Sequence, residues 1–310
     1  MALADKYTLK NLKTDFPTDD ACLEAVFESL HTKDCSCGGT YSKISGRKQY
    51  QCSLCRFQIA PTAGTIFHKS DTPLTYWFHA IFLFSNAKSG ISAKELERQI
   101  GVTYKTAWRM LKLIREALHQ KPRLGEPDPE PLGGDVEMDE TYFGGRAKAG
   151  RNNENLSAAM KKKSVIIGAV ERGGTIRAEV SPTAKAKRIG SFLKRNVRPE
   201  GTRLFTDESN RYDRTASGYD RHTVNHGRKE YVRGEAHVNT MEAFWSHVKR
   251  SIDGTHKHVS RRHLQAYVDG FVFHRNNRHS DTRRFAALLG TLLASRPLGI
   301  RPYWRLPYQA

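Results

Sequence analysis

The stretch VEMDETYF (136–143), together with KKKSVIIGAVERGGTIRAEVS (161–181), decides the fold. The first run alternates apolar and polar side chains, the period of a strand with one buried face. The second holds two β-rich runs around Gly173-Gly174, the pattern of a hairpin. Thr183–Val197 then spaces Ile189, Phe192, Leu193 and Val197 at helical intervals. TRLFTDES (202–209) reads as another short apolar strand, and a polar stretch rich in His and Arg follows it. Thr240–Ile252 is expected to be a helix with Met241, Phe244, Trp245, Val248 and Ile252 on its apolar face, and a further amphipathic helix covers about 261–274. Strand, strand, strand, helix, strand and then helices is the order of an RNase H-like α/β fold with a mixed sheet. Order speaks to fold, not to function.

Upstream of this region the chain changes character. Residues 1–66 hold all five cysteines and short strand-like runs at Lys48–Gln51 and Phe57–Ala60; 67–120 read as helical; KPRLGEPDPEPLGGD (121–135) is a linker whose prolines and glycines break any helix. Residues 136–310 form the largest region. There is no internal repeat.

The charge balance narrows the partners. Lys and Arg number 51 against 32 Asp and Glu, giving +19 and a pI near 9.8. Such an excess favours a polyanion, most commonly nucleic acid, although a merely basic or ribosome-associated protein has the same composition. No run approaches the roughly 20 apolar residues of a membrane span, and the N-terminus lacks the apolar core of a signal peptide. A reducing cytoplasm is expected, with no membrane partner.

In that compartment clustered cysteines suggest a metal before a disulfide. Cys35-Ser-Cys37 and Cys52-Ser-Leu-Cys55 are separated by 14 residues. Two such pairs on separate turns can close a tetrahedral, structural Zn²⁺ site, and Gly38-Gly39 permits the tight turn. The first pair is one residue shorter than a CxxC knuckle, so His31 is an alternative ligand. Cys22 is expected in an amphipathic helix (DDACLEAVFESLH) as a buried thiol.

The segment 91–110 reads as helix-turn-helix. Ser92 caps the first helix, Glu95 completes a capping box, Gly101 makes the turn and Thr103 starts the second helix. Tyr104, Lys105, Thr106 and Arg109 are then exposed, suited to phosphates and base edges in a major groove, while Trp108, Leu111 and Ile114 face the core. A plain helical hairpin is the alternative. Leu74–Asn86 is very apolar and packs beneath it.

Three acids fall where chemistry needs them. Asp139 lies near the end of the first strand, Asp207 ends the fourth, and Glu242 lies in the later helix, with 34 residues between it and Asp207. Hard cations such as Mg²⁺ take oxygen ligands, so three converging carboxylates can hold two of them for in-line phosphoryl displacement. An acid at a strand end is otherwise a turn former. Glu137 shares the face of Asp139 and Glu140 opposes it; Glu208 opposes Asp207. The loop 144–163, with Arg146, Lys148, Arg151 and Lys161–Lys163, is a solvated loop or, beside an active site, a track for a DNA backbone. The several histidines show no HExxH arrangement, and Phe244 and Trp245 read as core.

DETYFGG (139–145), TDE (206–208) and HVNTMEAFWSHVKR (237–250) closely resemble bacterial insertion-sequence DDE transposases of the ISXO type, over about residues 20–280. That family joins a zinc ribbon to an RNase H-like DDE domain. The resemblance implies Asp139 and Asp207 as the first two metal ligands. It offers Asn239 and Lys249 for the remaining motif positions; Glu242 is preferred as third ligand because Asn brings no charge to offset metals. Lys249, seven residues after Glu242, shares its helix face and suits the phosphate of a transposon end, with Arg250 beside it on DNA. The expected function is binding of terminal inverted repeats and Mg²⁺-dependent (two ions, or Mn²⁺) strand cleavage and transfer, by a homo-oligomer on DNA. A non-catalytic DNA-binding regulator and a nuclease that never joins strands are the alternatives.

Overall fold

The computed structural model describes residues 6–119, 129–144, 163–224 and 237–295. The 121–128 part of the linker, His226 and all the basic residues named in the 144–163 loop except Lys163 lie outside them. The chain divides into two compact units, Met1–Gln120 with Asn277–Ala310, and Lys121–Asn276.

The first unit opens with α1 (Leu9–Asp15) and α2 (Asp19–Leu30), each started by a threonine whose hydroxyl accepts a backbone N–H. An antiparallel sheet follows in the order β1 (Tyr41–Lys43), β2 (Tyr50–Cys52), β3 (Gln58–Ile59). Tyr50 stacks on Phe27 of α2 with ring centroids 4.0 Å apart. Next comes α3 (Leu74–Asn86), apolar on most sides and therefore central. Pro73 at its N-cap has no side-chain acceptor, and Asp19 of α2 serves instead, accepting from the N–H groups of Leu74 (3.0 Å) and Thr75 (2.9 Å). In α4 (Ala93–Ile100), Ser92 accepts from Glu95 N, and Gly101 closes the helix in the left-handed region at φ 72°. The expected capping box is half made. The Glu95 carboxylate binds Arg98 and Gln99, one turn on, rather than the cap backbone. Thr103 caps α5 (Tyr104–Leu118).

The second unit is built on a five-stranded mixed sheet. Its strands are β4 (Asp135–Phe143), β5 (Ser164–Glu171), β6 (Ile176–Ser181), β7 (Arg203–Asp207) and β8 (Asp220–Val224), in the order β6-β5-β4-β7-β8. The pairs β4–β5 and β5–β6 are antiparallel; β4–β7 and β7–β8 are parallel. Gly173, at φ 77°, turns the β5–β6 hairpin. This is RNase H-like topology. The fifth strand was not legible in the His- and Arg-rich stretch: an edge strand needs no apolar alternation to pair.

One face of the sheet carries α6 (Ala186–Asn196), whose Ile189, Phe192 and Leu193 pack with Val136, Met138 and Leu204. The other carries α7 (Asn239–Ser251), which runs into a wider π turn at Ile252–His256, and α8 (Arg261–Asn276). Met241, Trp245 and Val248 pack there with Ile166 and Val170. Edge strand β6 is also satisfied by side-chain amides of α8: Val180 N donates to Gln265 (2.6 Å) and Ile176 N to Asn276 (2.8 Å).

The last helix, α9 (Asp281–Ala294), belongs to the first unit rather than to the sheet that precedes it. Its Phe285 stacks on Tyr7 at 4.6 Å, and buried Arg284 donates to the Ser85 carbonyl at 3.3 Å. An amphipathic helix does not announce in its sequence which core takes it.

Gly168 on β5 sets how closely α7 approaches. A Cβ there would come within 2.6 Å of Met241 Cε and 2.7 Å of Trp245 Cζ2. Gly168→Ala is expected to destabilise the protein by about 1–3 kcal/mol through overpacking. Urea unfolding followed by tryptophan fluorescence measures this, and an unchanged midpoint would mean that α7 is not seated on β5.

Candidate metal and nucleic-acid site

β4 and β7 pair in the register Asp135↔Arg203, Val136↔Leu204, Glu137↔Phe205. The same offset, carried two residues on, sets Asp139 level with Asp207. Neighbouring strands lie about 4.8 Å apart, so the two acids stand side by side. By alternation both share the face of Phe205, which packs on Val238 beneath α7. Asp139 does not end its strand as expected; it is mid-strand in β4, and it is β7 that stops at this level, at Asp207. Ser209 N donates to the Asp207 carboxylate at 3.1 Å. Arg221 fixes the same corner, donating to the Asp207 carbonyl (3.0 Å), Thr206 Oγ1 (2.9 Å) and Asp213 (2.7 Å).

Glu140 faces the other way, towards α6, and accepts from the Tyr212 hydroxyl at 2.8 Å. Burial pushes its carboxyl up to about 7 against that hydrogen bond, and the charges of Asp207 and Asp139 push it the same way. Fully buried Tyr212 is raised well above its ordinary value by burial, then by Glu140, Asp139 and Asp207. Both groups thus sit in a buried environment that Asp139 and Asp207 make more negative, with Arg211 beside Glu140.

Glu242 is exposed in the first turn of α7, with Asn239 opening the helix and Lys249 and Arg250 exposed in its last turn. Among the described residues, the carboxylates do not form a set of three with oxygens inside 4.8 Å of one another. Carried forward, the register puts Asp139 and Asp207 on one face of neighbouring strands, and α7, which bears Glu242, packs over that face of the sheet.

Glu137 was read only as a neighbour of Asp139, yet it places that helix. It is wholly buried, with 0% exposure. Its carboxylate accepts from the N–H groups of Thr240 (2.8 Å) and Met241 (3.1 Å), from Thr240 Oγ1 (3.0 Å) and from Arg172 Nε (3.0 Å). Arg172 also donates to the His237 carbonyl (2.9 Å) and lies 3.9 Å over the Phe205 ring. The signal was present: a Glu set among apolar residues on the helix-covered face of a central strand must have donors.

In the first unit, the ligand atoms of Cys35, Cys37, Cys52 and Cys55 all lie within 4.8 Å of one another. The short Cys-x-Cys pair thus reaches the site without help, and His31 is not in the group; it caps α2 beside Phe27. Gly39 makes this possible, since a Cβ there would come within 2.7 Å of Cys52 Sγ. The Cys37 backbone N–H and the Tyr41 hydroxyl draw the Cys35 thiol down to about 6. Cys22 is a buried free thiol, as read.

On α5 the exposed face is Tyr104, Lys105 and Arg109, with Thr106 half-buried against Thr103. Trp108 corrects the sequence reading. It is 42% exposed, one turn on from Tyr104, and Lys112 lies 5.7 Å over its ring. Ala107, Met110, Leu111 and Ile114 already fill the inward face, so Trp108 turns outward.

A mixed sheet of this order, with acids level on its two parallel central strands, defines an RNase H-like domain. Residues 131–276 match the ISXO2-like transposase domain, and the chain is similar in sequence to a protein of a transposable element. A curated relative, an uncharacterized protein in transposable element ISH50 of Halobacterium salinarum, is 28% identical over 241 residues, 74% of this chain and 78% of that one. Solved structures give looser matches. A simian T-cell lymphotropic virus intasome in complex with PP2A regulatory subunit B56 gamma has TM-score 0.30 and 13% identity, covering 73% of this chain and 76% of that one. The Mos1 strand transfer complex has TM-score 0.29 and 12% identity, covering 69% and 74%. The fold assignment rests on strand order, not on these. No helix among the described residues is long and apolar enough to cross a membrane.

Removing the buried Glu137 carboxylate leaves Arg172 and the first amides of α7 without their acceptor. Glu137→Ala is expected to cost about 3–5 kcal/mol in urea unfolding. A loss under about 1 kcal/mol would mean that the carboxylate does not hold the helix.

Proposed function

We propose that this protein is a DNA transposase that binds the terminal inverted repeats of its own element and cuts and joins DNA strands at the corner of Asp139, Asp207 and Glu242. The observation that carries the reading is the level placement of Asp139 and Asp207 on parallel strands of an ISXO2-like transposase domain, under a helix that bears Glu242. The donor set fits a hard divalent cation, because all three are carboxylates. Two Mg²⁺ or Mn²⁺ ions bound there would supply Lewis-acid activation of the attacking oxygen and neutralise the leaving one. Asp139 and Asp207 hold fixed positions because β4 and β7 are paired and Arg221 closes the corner. Glu242 contributes the third charge, with Asn239 one turn before it. Lys249, two turns on, and Arg250 hold the phosphates of the bound end.

The first unit reads the DNA. Tyr104, Lys105, Thr106 and Arg109 of α5 enter a major groove, with α4 crossing the backbone. The four thiols fit Zn²⁺ in soft-ligand chemistry, and with no open position the ion is structural. A reducing cytoplasm keeps those thiols available. Cutting two transposon ends together calls for more than one catalytic domain, so the working form is a homo-oligomer on DNA.

Asp139→Ala and Asp207→Ala are each expected to abolish Mg²⁺-dependent nicking of an inverted-repeat duplex while leaving its affinity within a few-fold of wild type. Gel assays of cleavage and shift read both; cutting at the normal rate by either variant would refute the assignment. Pre-cut ends incubated with a plasmid target test joining, and hydrolysis without joining would leave a nuclease. For the ribbon, metal analysis of the purified chain should find one zinc per protomer. Cys52→Ser should lose it and lower the thermal midpoint; zinc-free protein with an unchanged midpoint would count against a structural site.

A further inference from the structure

The second unit has a basic groove on the face of the sheet opposite the carboxylates. Its walls are α6 and the segment 214–219, which returns from β7 to β8. Lys187 and Lys194 lie on one stripe of α6, seven residues apart, or about 10.5 Å along the axis. Arg214 faces them from the other wall. All three are exposed, and none has an ion-pair partner among the described residues. α6 contains no acid at all (AKRIGSFLKRN); Glu179, off the helix, pairs with Arg195. A soluble surface normally intersperses both signs.

The floor is small. Gly190 lets the Thr215 segment close on the helix: a Cβ there would come within 3.0 Å of Thr215 Cγ2. Buried Gly190 lies at the bottom, with Thr215 and Tyr219 beside it and exposed Ser191 and Ser217 on the walls. A trough with exposed cations on both walls fits a line of phosphates. Its lining holds cations and no acid, which favours a polyanion over an apolar ligand.

We propose that this groove is a second nucleic-acid surface, gripping the sugar-phosphate backbone of duplex DNA on the side of the sheet away from the cleavage corner. The proposal rests on the transposase reading for the identity of the polyanion. Because α6 and α7 cover opposite faces, the DNA held here is a different stretch from the one whose phosphate meets Asp139 and Asp207. It is bound without regard to sequence, since only backbone groups are met.

The test is the salt dependence of binding to a mixed-sequence duplex lacking inverted repeats. The full-length wild type is compared with Lys187→Gln/Lys194→Gln/Arg214→Gln and with the charge-keeping Lys187→Arg/Lys194→Arg/Arg214→Lys. Each lost phosphate contact should reduce the slope of log K against log[salt] by about 0.9, so the neutral triple variant should lose about 2 to 3. The charge-keeping variant should retain the wild-type slope. An unchanged slope in the neutral variant overturns the groove, as does an equal loss in the charge-keeping one, which would signal structural damage. The two readings separate cleanly. A slope that falls while wild type shows no Mg²⁺-dependent cutting sinks the transposase and keeps the groove. Cutting that persists with no change of slope does the reverse, and a wild type that does not bind DNA sinks both.

Discussion

A carboxylate with no access to water must find donors, and Glu137 finds them in the first turn of α7. Those N–H groups are the ones a helix cannot satisfy internally, and they sit at its positive end. The match is mutual. It fixes where α7 begins relative to β4, two residues before Asp139. Glu242 belongs to the same turn, so the tie that satisfies Glu137 also fixes the turn that carries Glu242. Gly168, which pairs with Asp139 across β5, removes the side chain that would otherwise keep Met241 and Trp245 away. One polar contact and one missing Cβ thus position a helix that carries a candidate ligand, and neither involves a group that need touch substrate.

Much of the second unit was legible because its signals are local and periodic. VEMDETYF alternates, VIIGAV is apolar on both faces as a central strand must be, and Gly173 turns the hairpin. Register was not legible. That Asp139 stands beside Asp207 depends on an offset of 68 residues between two strands, which no short window contains. β8 was missed for a related reason: DRHTV pairs through its backbone, and its polar side chains carry no period. The sequence could say that two acids follow apolar runs; only pairing says they are neighbours.

The first unit failed to be legible where packing overrides propensity. Trp108 looked like core because tryptophan usually is, but the smaller residues at 107, 110, 111 and 114 take the inward stripe and leave it outside. Exposed Tyr104 and Trp108 beside Lys105, Arg109 and Lys112 make a surface of flat rings and cations, which suits the edges and sugars of a nucleic acid better than a plain helical hairpin requires. The Cys-x-Cys pair was doubted on spacing alone. What spacing could not weigh is Gly39, which lets the chain fold close enough for the sulfurs to meet.

The chain must solve an electrostatic conflict if it is to bind cations and phosphates together. With +19 overall, it draws polyanions from every side, yet a divalent-metal site needs a local excess of negative charge. The sheet separates the two. Acids gather on the strands at one corner, and the uncompensated cations of α6 lie across a helix layer on the opposite face. Layers pack about 10 Å apart, and salt screens exposed charges over about 8 Å, so solvent-facing groups on the two sides act almost independently. Glu140, next to Asp139, points towards the α6 side, where burial raises its carboxyl to about 7 and it accepts from Tyr212. The alternation of β4 therefore does more than present Asp139: it sends the adjacent acid to the opposite side of the sheet, buried against Tyr212 and away from the face that carries Asp139.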